Sequence, residues 1–476
     1  MAHNDYEAVI GLEIHAQLLT CSKMFCRCST QFGRADNENT CPVCTGMPGA
    51  LPVVNSRAID FAVRTGKALN CEINHHSVFS RKNYFYPDLP KGYQISQYDE
   101  PICGRGSVEI VVNGEVKKIA IERAHLEEDA GKSIHDGNQS LINLNRSSVP
   151  LLEIVSGPDL RSPQEASEYA RTIRQILRYL EVCDGNLEEG SLRCDCNVSV
   201  RKRGAAKFGT KVEIKNMNSF RFIEKAIEFE IDRQIDCLEA GEPIHQETRL
   251  YDTTKNMTFP MRSKEEAHDY RYFPEPDLLR VELSPQRVNT LIASLPELPR
   301  ARSQRFIQEY GLPDYDASVL TQEKDLADYF EDVARASGNA KAASNWVMVE
   351  LLRELNASKK EIQQSPIAAP HMASLIRLID DRTISGKIAK AVFLDMWATG
   401  KSPEDLVKEQ GLVQISDEGA LAGIVERVIS ANPQEVESYR GGKKKLMGFF
   451  VGEVMKATKG QANPSLVNKL LQQKLG

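Results

Sequence analysis

The chain has 476 residues, of which 41% are hydrophobic and 26% are charged, and its formal net charge is −6. This length suits two to four domains with cores of their own, and the composition is that of an ordinary globular protein. No apolar run approaches the ~18 residues of a membrane span, and the N-terminus lacks the basic and apolar regions of a signal peptide. The eleven cysteines, an odd number, favour a cytoplasmic location and metal ligation over disulfides.

The first predicted element is a strand over residues 6–15. Side chains alternate along a strand, so Glu13 and His15 share one face and Leu12 and Ile14 share the other. Isolated acids in apolar strands are costly unless they are paired or bound to a metal. The polar face of this strand is therefore a candidate binding face.

Two close pairs of cysteines follow, Cys26 with Cys28 and Cys41 with Cys44. This spacing is typical of a zinc knuckle in which each pair donates from a tight turn, although the first pair is C-x-C and not C-x-x-C. Four thiolates complete the zinc shell and leave no position for a substrate, so the predicted site is structural. Free surface thiols are the alternative.

The segment at residues 80–97 combines cations, amides and aromatic rings, among them Arg81, Lys82 and Tyr84. Such a loop can stack a nucleotide base and bind phosphate, although an aromatic packing loop fits the local pattern equally well. Strands are predicted next at residues 108–112 and 118–121, because Asn-Gly between apolar runs indicates a hairpin.

The most unusual stretch is the run of three acids at Glu127, Glu128 and Asp129. Adjacent carboxylates repel each other, and a divalent cation is one reason to crowd them, because Mg²⁺ takes hard oxygen ligands and commonly bridges to phosphates. A solvated acidic loop is the alternative. Single acids also lie inside apolar strands, at Glu153 and Glu213. Convergence of these acids on one sheet face would form a metal–phosphate site.

Two amphipathic or capped helices are predicted in this region. One begins at Ser162-Pro163 with a capping box, and the other covers about residues 220–240 and ends at the C-cap Gly241. Between them, the period of a strand aligns Arg193 with Asp195 on one face.

From about residue 284 the pattern becomes helical, and it shifts again near residue 403. From Gly441 to the C-terminus there are seven lysines and one acid, in a chain that is acidic as a whole. A basic terminal module on an acidic body suits contact with a phosphate backbone. A solvated turn at residues 443–445, on a tail that only caps the helical domain, is the alternative.

No glycine-rich phosphate loop is present, because Gly131-Lys-Ser133 lacks the first glycine of a P-loop and no G-x-G-x-x-G follows a strand. Phosphate handling must then come from metal ions and side chains on a sheet. That arrangement resembles glutamine synthetase and the guanido kinases.

Five motifs, in this order, resemble those of the B subunits of aspartyl/glutamyl-tRNA amidotransferases, and the similarity runs essentially end to end, including residues 459–464. The motifs are Val9-Ile-Gly-Leu-Glu-Ile-His15, Arg81-Lys-Asn-Tyr-Phe-Tyr-Pro-Asp88, His125-Leu-Glu-Glu-Asp-Ala-Gly-Lys132, Glu188-Glu-Gly-Ser-Leu-Arg-Cys-Asp195 and Asp269-Tyr-Arg-Tyr-Phe-Pro-Glu-Pro-Asp277.

The resemblance implies an α+β chain: an antiparallel-sheet cradle domain at 1–293, a helical domain at 294–405 and a small helical, tRNA-binding tail at 406–476. It implies ATP-dependent phosphorylation of the side-chain carboxylate of mischarged Glu-tRNA(Gln) or Asp-tRNA(Asn), followed by amidation. The ammonia would be channelled from an amidase, the A subunit of a complex that also contains a small C subunit. The implied cofactors are ATP, Mg²⁺ and a structural Zn²⁺.

The site residues are assigned by combining these motifs with the residue chemistry. The magnesium ligands are Glu13, His15, Glu128, Glu153 and Glu213. The catalytic residues are Glu127, Glu128, Asp129, Lys82 and Arg193. The ATP-binding residues are Arg81, Lys82, Tyr84, Lys132, Asp195 and Lys215. The zinc ligands are Cys26, Cys28, Cys41 and Cys44.

Two other functions remain open on the sequence alone. One is a zinc-ribbon adaptor that binds tRNA or the ribosome without ATP chemistry, and ATP turnover distinguishes it. The other is a free-standing ligase that resembles glutamine synthetase and acts on a small acid. The lysine-rich tail argues against the second.

Overall fold

The computed structural model describes residues 5–263, 267–412, 418–458 and 461–476. It separates into two compact units, Met1–Pro299 and Arg300–Gly476. One hydrophobic core lies in the first unit and two lie in the second, over residues 306–407 and 421–475. The division into three domains at residues 293 and 405 stays a prediction. No helix in the described ranges is long and apolar enough to cross a membrane.

The first unit is organised around an eleven-stranded sheet with the strand order β13-β12-β11-β10-β1-β9-β6-β4-β3-β14, in which β5 also pairs with β6. Two further two-stranded sheets join β15 with β2 and β7 with β8. The strands are β1 (Tyr6–Gln17), β2 (His76–Ser77), β3 (Ser80–Asn83), β4 (Tyr93–Ser96), β5 (Gly106–Val112), β6 (Glu115–Glu128), β7 (Lys132–Asp136), β8 (Gln139–Asn143), β9 (Pro150–Ser156), β10 (Leu192–Lys202), β11 (Val212–Lys215), β12 (Glu247–Asp252), β13 (Met257–Ser263), β14 (Phe273–Pro274) and β15 (Val281–Glu282).

Helices pack on the sheet in the first unit and make up the second. They are α1 (Ser56–Ala68), α2 (Pro163–Tyr179), α3 (Phe220–Ala240), α4 (Pro285–Ala293), α5 (Pro299–Tyr310), α6 (Asp314–Leu320), α7 (Lys324–Ser337), α8 (Ala340–Asn345), α9 (Leu352–Ser358), α10 (Ala369–Asp380), α11 (Gly386–Thr399), α12 (Pro403–Glu409), α13 (Glu418–Ala431), α14 (Pro433–Arg440), α15 (Met447–Ala457) and α16 (Pro464–Leu475). A π-helical turn, Trp346–Leu351, joins α8 to α9.

The centre of the sheet is β1, with β10 on one side and β9 on the other, and β6 follows β9. The predicted alternation is confirmed, because Leu12 and Ile14 are buried in the core with α2 and α3 while His15 lies on the opposite face. The predicted helix ends are confirmed as well. Ser162 accepts a hydrogen bond at the start of α2, and Gly241 ends α3 with φ at 74°.

Two features of the sheet differ from the sequence prediction. The sheet is not wholly antiparallel, because β11 and β12 pair in parallel. The long helix α3 runs between them, and a parallel pair needs a crossover connection of this kind. In addition, β6 does not end near residue 121 but continues through Glu128, so the first two acids of the run lie on a central strand.

Candidate active site on the open face of the sheet

Four side chains from β1, β9 and β6 form the centre of the open face. Glu153 pairs in register with His15 on one side and with His125 on the other, and Glu127 lies two residues beyond His125. The Nε2 atom of His15 lies 3.4 Å from Oε2 of Glu153 and 3.6 Å from Oε1 of Glu127. The Nε2 atom of His125 lies 3.3 Å from the same Glu153 oxygen. We call these four residues the carboxylate–histidine cluster.

The charged groups of the cluster shift the pKa values of one another. Burial works against a charge on His15, but Glu153 and Glu127 outweigh it and raise the pKa of His15 to about 9. Burial and the neighbouring Glu153 raise the pKa of Glu127. The pKa of Glu153 is lowered, because His125 and His15 outweigh the effect of its burial. Two buried carboxylates thus repel each other while the two histidines stabilise the charge of Glu153.

A divalent cation fits these donors. One ligand atom each from His15, Glu127 and Glu153 lie within 4.8 Å of one another. Glu127 and Glu153 are 3% and 9% exposed, so the acids are not a solvated loop. Two carboxylates and one imidazole suit Mg²⁺ or Mn²⁺ with positions left for water or phosphate. Such an ion would relieve the repulsion between the two acids.

Two guanidinium groups flank the cluster beside Asp129. Nη2 of Arg193 donates to Oδ1 of Asp129 at 3.0 Å, and Nε of Arg146 lies 3.6 Å from Oδ2. Burial would raise the pKa of Asp129, but the charges of Arg193 and Arg146 outweigh it and lower that pKa. Both arginine side chains remain one-third exposed, so they can bind an anion while Asp129 orients them.

Lys82 approaches the same acids from β3. Its Nζ atom lies 4.8 Å from the ring centre of Tyr270 and 5.8 Å from that of Tyr84. Among the described residues no carboxylate oxygen lies within ion-pair distance of this ammonium group. Burial lowers the pKa of Lys82, but Tyr272, Glu127 and Glu153 outweigh it, so the pKa is raised and the group is cationic. It is therefore available to a phosphate.

A second charged group lies on the other side of β1. Lys215 forms ion pairs with Asp195 and, at 3.6 Å, with Glu213, and Asn197 donates to Glu13 at 2.9 Å. The two glutamates assigned to the metal, Glu13 and Glu213, thus have other partners. Neither belongs to a group of potential metal donors in the described part of the chain. Lys215 neutralises Asp195 and Glu213, and the assignment of Glu13 and Glu213 to the metal stays a prediction.

Glu128, which the sequence assigns to the metal, has other partners in the structure. Glu127 and Glu128 are neighbours on a strand and point to opposite faces, so only Glu127 reaches the cluster. Glu128 is 1% exposed, accepts a hydrogen bond from the backbone N–H of Ile95 at 2.8 Å and forms an ion pair with Lys91. These contacts lie away from the cluster, and the assignment of Glu128 to the metal stays a prediction.

Two predicted nucleotide ligands have other surroundings. Nε of Arg81 donates to the buried carboxylate of Glu275 at 2.7 Å, and its guanidinium lies over the ring of Tyr93. This arrangement fixes the 270–277 segment to β3. Lys132 is exposed at the start of the β7–β8 hairpin.

Sequence reasoning missed His125 and Arg146 as site residues. The sequence pattern could have identified His125, because it lies two residues before Glu127 and therefore shares its face of β6. No such pattern identifies Arg146: it lies in a connection whose course is set by tertiary contacts, with Nε donating to the carbonyl oxygen of Ala130 at 2.9 Å.

The cysteine pairs form a separate site in the same unit. The four sulfur atoms of Cys26, Cys28, Cys41 and Cys44 lie within 4.8 Å of one another. A hydrogen bond from Cys26 and the charge of Lys23 lower the pKa of Cys44 to about 4. The structure thus brings together the quartet that the spacing predicts, in an arrangement that could hold a metal ion.

Comparison with known proteins agrees with this architecture. Residues 8–289 match the family described as the GatB/GatE catalytic domain, and residues 328–475 match the family described as the GatB domain. The chain therefore belongs to the GatB family, a class of tRNA amidotransferase subunits.

Several similar proteins carry one name, that of the B subunit of aspartyl/glutamyl-tRNA(Asn/Gln) amidotransferase. The protein of this name from Bdellovibrio bacteriovorus is 63% identical over the full length of both chains. Those of Solidesulfovibrio magneticus and Thermodesulfovibrio yellowstonii are 58% and 57% identical over 99% and 98% of both chains.

Proposed function

We propose that this chain is the B subunit of a tRNA-dependent amidotransferase. It activates the side-chain carboxylate of mischarged Glu-tRNA(Gln), Asp-tRNA(Asn) or both with ATP, and it then amidates the activated group. A carboxylate is a poor acyl donor, and its conversion to an acyl phosphate supplies a leaving group. The carboxylate oxygen attacks the γ-phosphorus with release of ADP, and ammonia then attacks the carbonyl carbon with release of phosphate.

The observation that carries this proposal is the carboxylate–histidine cluster between separate cationic groups on an open sheet face. Phosphoryl transfer depends mainly on positioning and on neutralisation of phosphate charge, and it does not require a covalent nucleophile. His15, Glu127 and Glu153 would hold a divalent cation, which, when bound, neutralises phosphate oxygens. This function also agrees with the shared name of the relatives.

The chain's own residues divide the remaining tasks. Arg193 and Arg146, oriented by Asp129, bind phosphoryl oxygens from one side of the cluster. Lys82, held over the Tyr270 ring, binds them from the side of β3. Lys215 and Asp195 remain candidates for the nucleotide on the far side of β1. Tyr84 would provide an aromatic wall beside Lys82.

We extend the proposal to the fold, cofactors and partners. The large sheet would form a cradle of the glutamine synthetase and guanido kinase type. ATP and Mg²⁺ would act at the cluster, and Zn²⁺ would be structural at the cysteine quartet. The cytoplasmic complex would include an amidase as its A subunit, which supplies ammonia, and a small C subunit. The exposed lysine turn at residues 443–445, in a tail domain at residues 406–476, would contact tRNA.

The test is an assay of the assembled complex with Glu-tRNA(Gln) and Asp-tRNA(Asn) separately, with and without ATP. We expect amidated tRNA only with ATP and a divalent cation, and one ADP formed for each amide. Amidation without ATP would overturn the proposal. Binding of tRNA without any ATP turnover would favour an adaptor.

A further inference from the structure

A fully buried lysine lies against the cysteine quartet. Lys23 is 0% exposed, and its Nζ atom donates to Sγ of Cys44 at 3.6 Å and to the carbonyl oxygen of Leu144 at 3.2 Å. Within the described ranges no carboxylate lies within 4.0 Å of this ammonium group. A buried ammonium without a counter-charge is strongly unfavourable. Of the described groups that Lys23 contacts, the sulfur of Cys44 is the one that can carry the compensating negative charge.

A bound metal would give the quartet a negative charge that Lys23 can balance. Four thiolates around a divalent ion leave a net charge of about −2. Cys44 Sγ also accepts a hydrogen bond from the backbone N–H of Cys41 at 3.2 Å. Two N–H donors on one buried sulfur suit a metal-bound thiolate, because outer partners of this kind orient and stabilise metal ligands.

Lys23 contacts both halves of the quartet. Its backbone N–H donates to the carbonyl oxygen of Cys28 at 3.0 Å, while its side chain reaches Cys44. Twelve residues separate the two cysteine pairs in the sequence, so a residue that binds to both helps to fix their separation.

Lys23 and its neighbour Met24 connect the quartet to the backbone beside the carboxylate site. Beyond the contact of Lys23 with Leu144, the backbone N–H of Met24 donates to the carbonyl oxygen of Ser148 at 2.8 Å, and the backbone N–H of Ser148 donates to the backbone carbonyl oxygen of Asp129 at 2.8 Å. Ser148 is buried with φ at 68°, a conformation that serine adopts at a cost and that its surroundings must hold. The connection from residue 144 to 149 also carries Arg146.

We propose that Lys23 compensates the charge of a zinc–tetrathiolate centre at Cys26, Cys28, Cys41 and Cys44, and that this ammonium group fastens the centre to residues 144–149 beside Asp129. The metal centre would thereby support Arg146, the arginine on this connection that is proposed to bind phosphate, in addition to its local role in folding. A soft divalent cation is the ligand, and zinc is the common one for four thiolates.

The test measures metal affinity in the full chain, with Co²⁺ as a coloured substitute for Zn²⁺, under reducing conditions. Lys23→Gln keeps N–H donors and removes the charge, Lys23→Arg keeps the charge, and Ser147→Ala is a matched control that removes a hydrogen bond to the Cys44 carbonyl oxygen. We expect Lys23→Gln to weaken Co²⁺ binding roughly 10- to 100-fold. Lys23→Arg should weaken Co²⁺ binding less, and the Ser147→Ala control should bind Co²⁺ about as tightly as the parent. Parent-like affinity in Lys23→Gln would overturn the proposal.

Two further measurements do not depend on whether the Lys23→Gln variant folds. If Lys23→Gln does not fold, a folded Lys23→Arg protein with no metal affinity would overturn charge compensation. In the parent, metal removal should increase amide hydrogen exchange at Ser147, Ser148 and Val149, because their backbone contacts depend on the centre. Unchanged exchange at these three amides would overturn the connection to Asp129. Neither measurement requires tRNA or ATP, so both are independent of the proposed amidation activity.

Discussion

At the scale of single residues, Glu127 and Glu128 are adjacent in the sequence and have different surroundings. Glu127 faces the carboxylate–histidine cluster, whereas Glu128 lies on the other face of β6 against Lys91 and Ile95. The pleat of the strand separates them, because successive side chains point to opposite faces. The two acids are chemically identical in the sequence, but only Glu127 lies in the cluster.

Glu127→Gln should lower ATP-dependent amidation on the order of 100-fold, as expected when one group that stabilises transferred charge is removed. The amide oxygen is a weaker ligand for Mg²⁺ than a carboxylate oxygen. The measurement is a Mg²⁺ titration of the amidation rate in the assembled complex, with glutamine hydrolysis followed in parallel. Glutamine hydrolysis should be preserved. A parent-like Mg²⁺ dependence would remove Glu127 from the site.

Glu128→Gln is the matched comparison, and it should act on stability. The substitution leaves Lys91 buried without its carboxylate, and such a loss commonly costs about 3 kcal/mol. We expect a lower melting temperature with a Mg²⁺ dependence close to that of the parent in the folded fraction. The opposite result, normal stability with lost Mg²⁺ activation, would restore Glu128 as a ligand.

His125→Gln should weaken the apparent Mg²⁺ affinity roughly 10- to 100-fold, as for other partners that orient metal ligands. His125 lies 3.3 Å from the Glu153 carboxylate and positions it. The control is His135→Gln, since His135 is exposed on the β7–β8 hairpin. Equal effects of the two substitutions on Mg²⁺ affinity would show that His125 has no positioning role.

At the scale of elements, helices α5 and α7 are joined by ion pairs that centre on one buried acid, with a further pair between Arg302 and Asp328. Glu331 on α7 accepts hydrogen bonds from Arg305 at 2.9 Å and from Arg335 at 2.7 Å, and it also pairs with Arg302. Burial would raise the pKa of Glu331, but the hydrogen bonds from Arg305 and Arg302 outweigh it and lower the pKa from 4.5 to about 2. The contact is thus a pH-dependent source of stability for the helical unit.

Glu331→Gln should destabilise the helical unit at neutral pH, because three arginines lose their shared acid. The folded-state pKa lies below the ordinary value of 4.5, so this stabilisation is fully present above pH 4.5 and is lost as the pH falls towards 2. Calorimetry of the parent and the variant should therefore show a stability difference that shrinks over this interval. The exposed Asp332→Asn variant is the control, and a pH-independent difference for Glu331→Gln would contradict the assignment.

At the scale of the whole molecule, the basic tail contains a hydrophobic core of its own within the second unit, formed by residues such as Phe450, Val454 and Leu471. Lys443, Lys444 and Lys445 are exposed, whereas Lys459 lies outside the described residues. A tail with a separate core can be removed or recharged without rearrangement of the sheet, which makes its role in tRNA binding testable.

Replacement of Lys443, Lys444 and Lys445 by Gln should weaken tRNA binding and flatten its salt dependence, with the slope reduced by about 2 to 3. Each lysine that contacts a phosphate releases counterions on binding. Truncation before Gly411 should raise KM for charged tRNA strongly and leave glutamine hydrolysis in the complex nearly unchanged. Unchanged affinity and salt slope in both proteins would assign the lysines to a solvated turn.

The sequence by itself determined the features that depend on local geometry. The alternation along β1, the cap of α2 at Ser162 and the end of α3 at Gly241 follow from backbone periodicity and capping chemistry, and all three are confirmed. The five motifs also sufficed for the family, because they are contiguous stretches of chain.

Only the tertiary structure decided which groups meet. His15, Glu127 and Glu153 come from distant parts of the chain, and their convergence depends on the register of β1, β9 and β6. The pairing of β10 with β11 likewise brings Lys215 to Asp195. A local pattern carries no information on strand register, and a shift of one residue would exchange the two faces. The sequence could therefore predict which kinds of residue form the site more closely than it could predict which of them lie together around a metal ion.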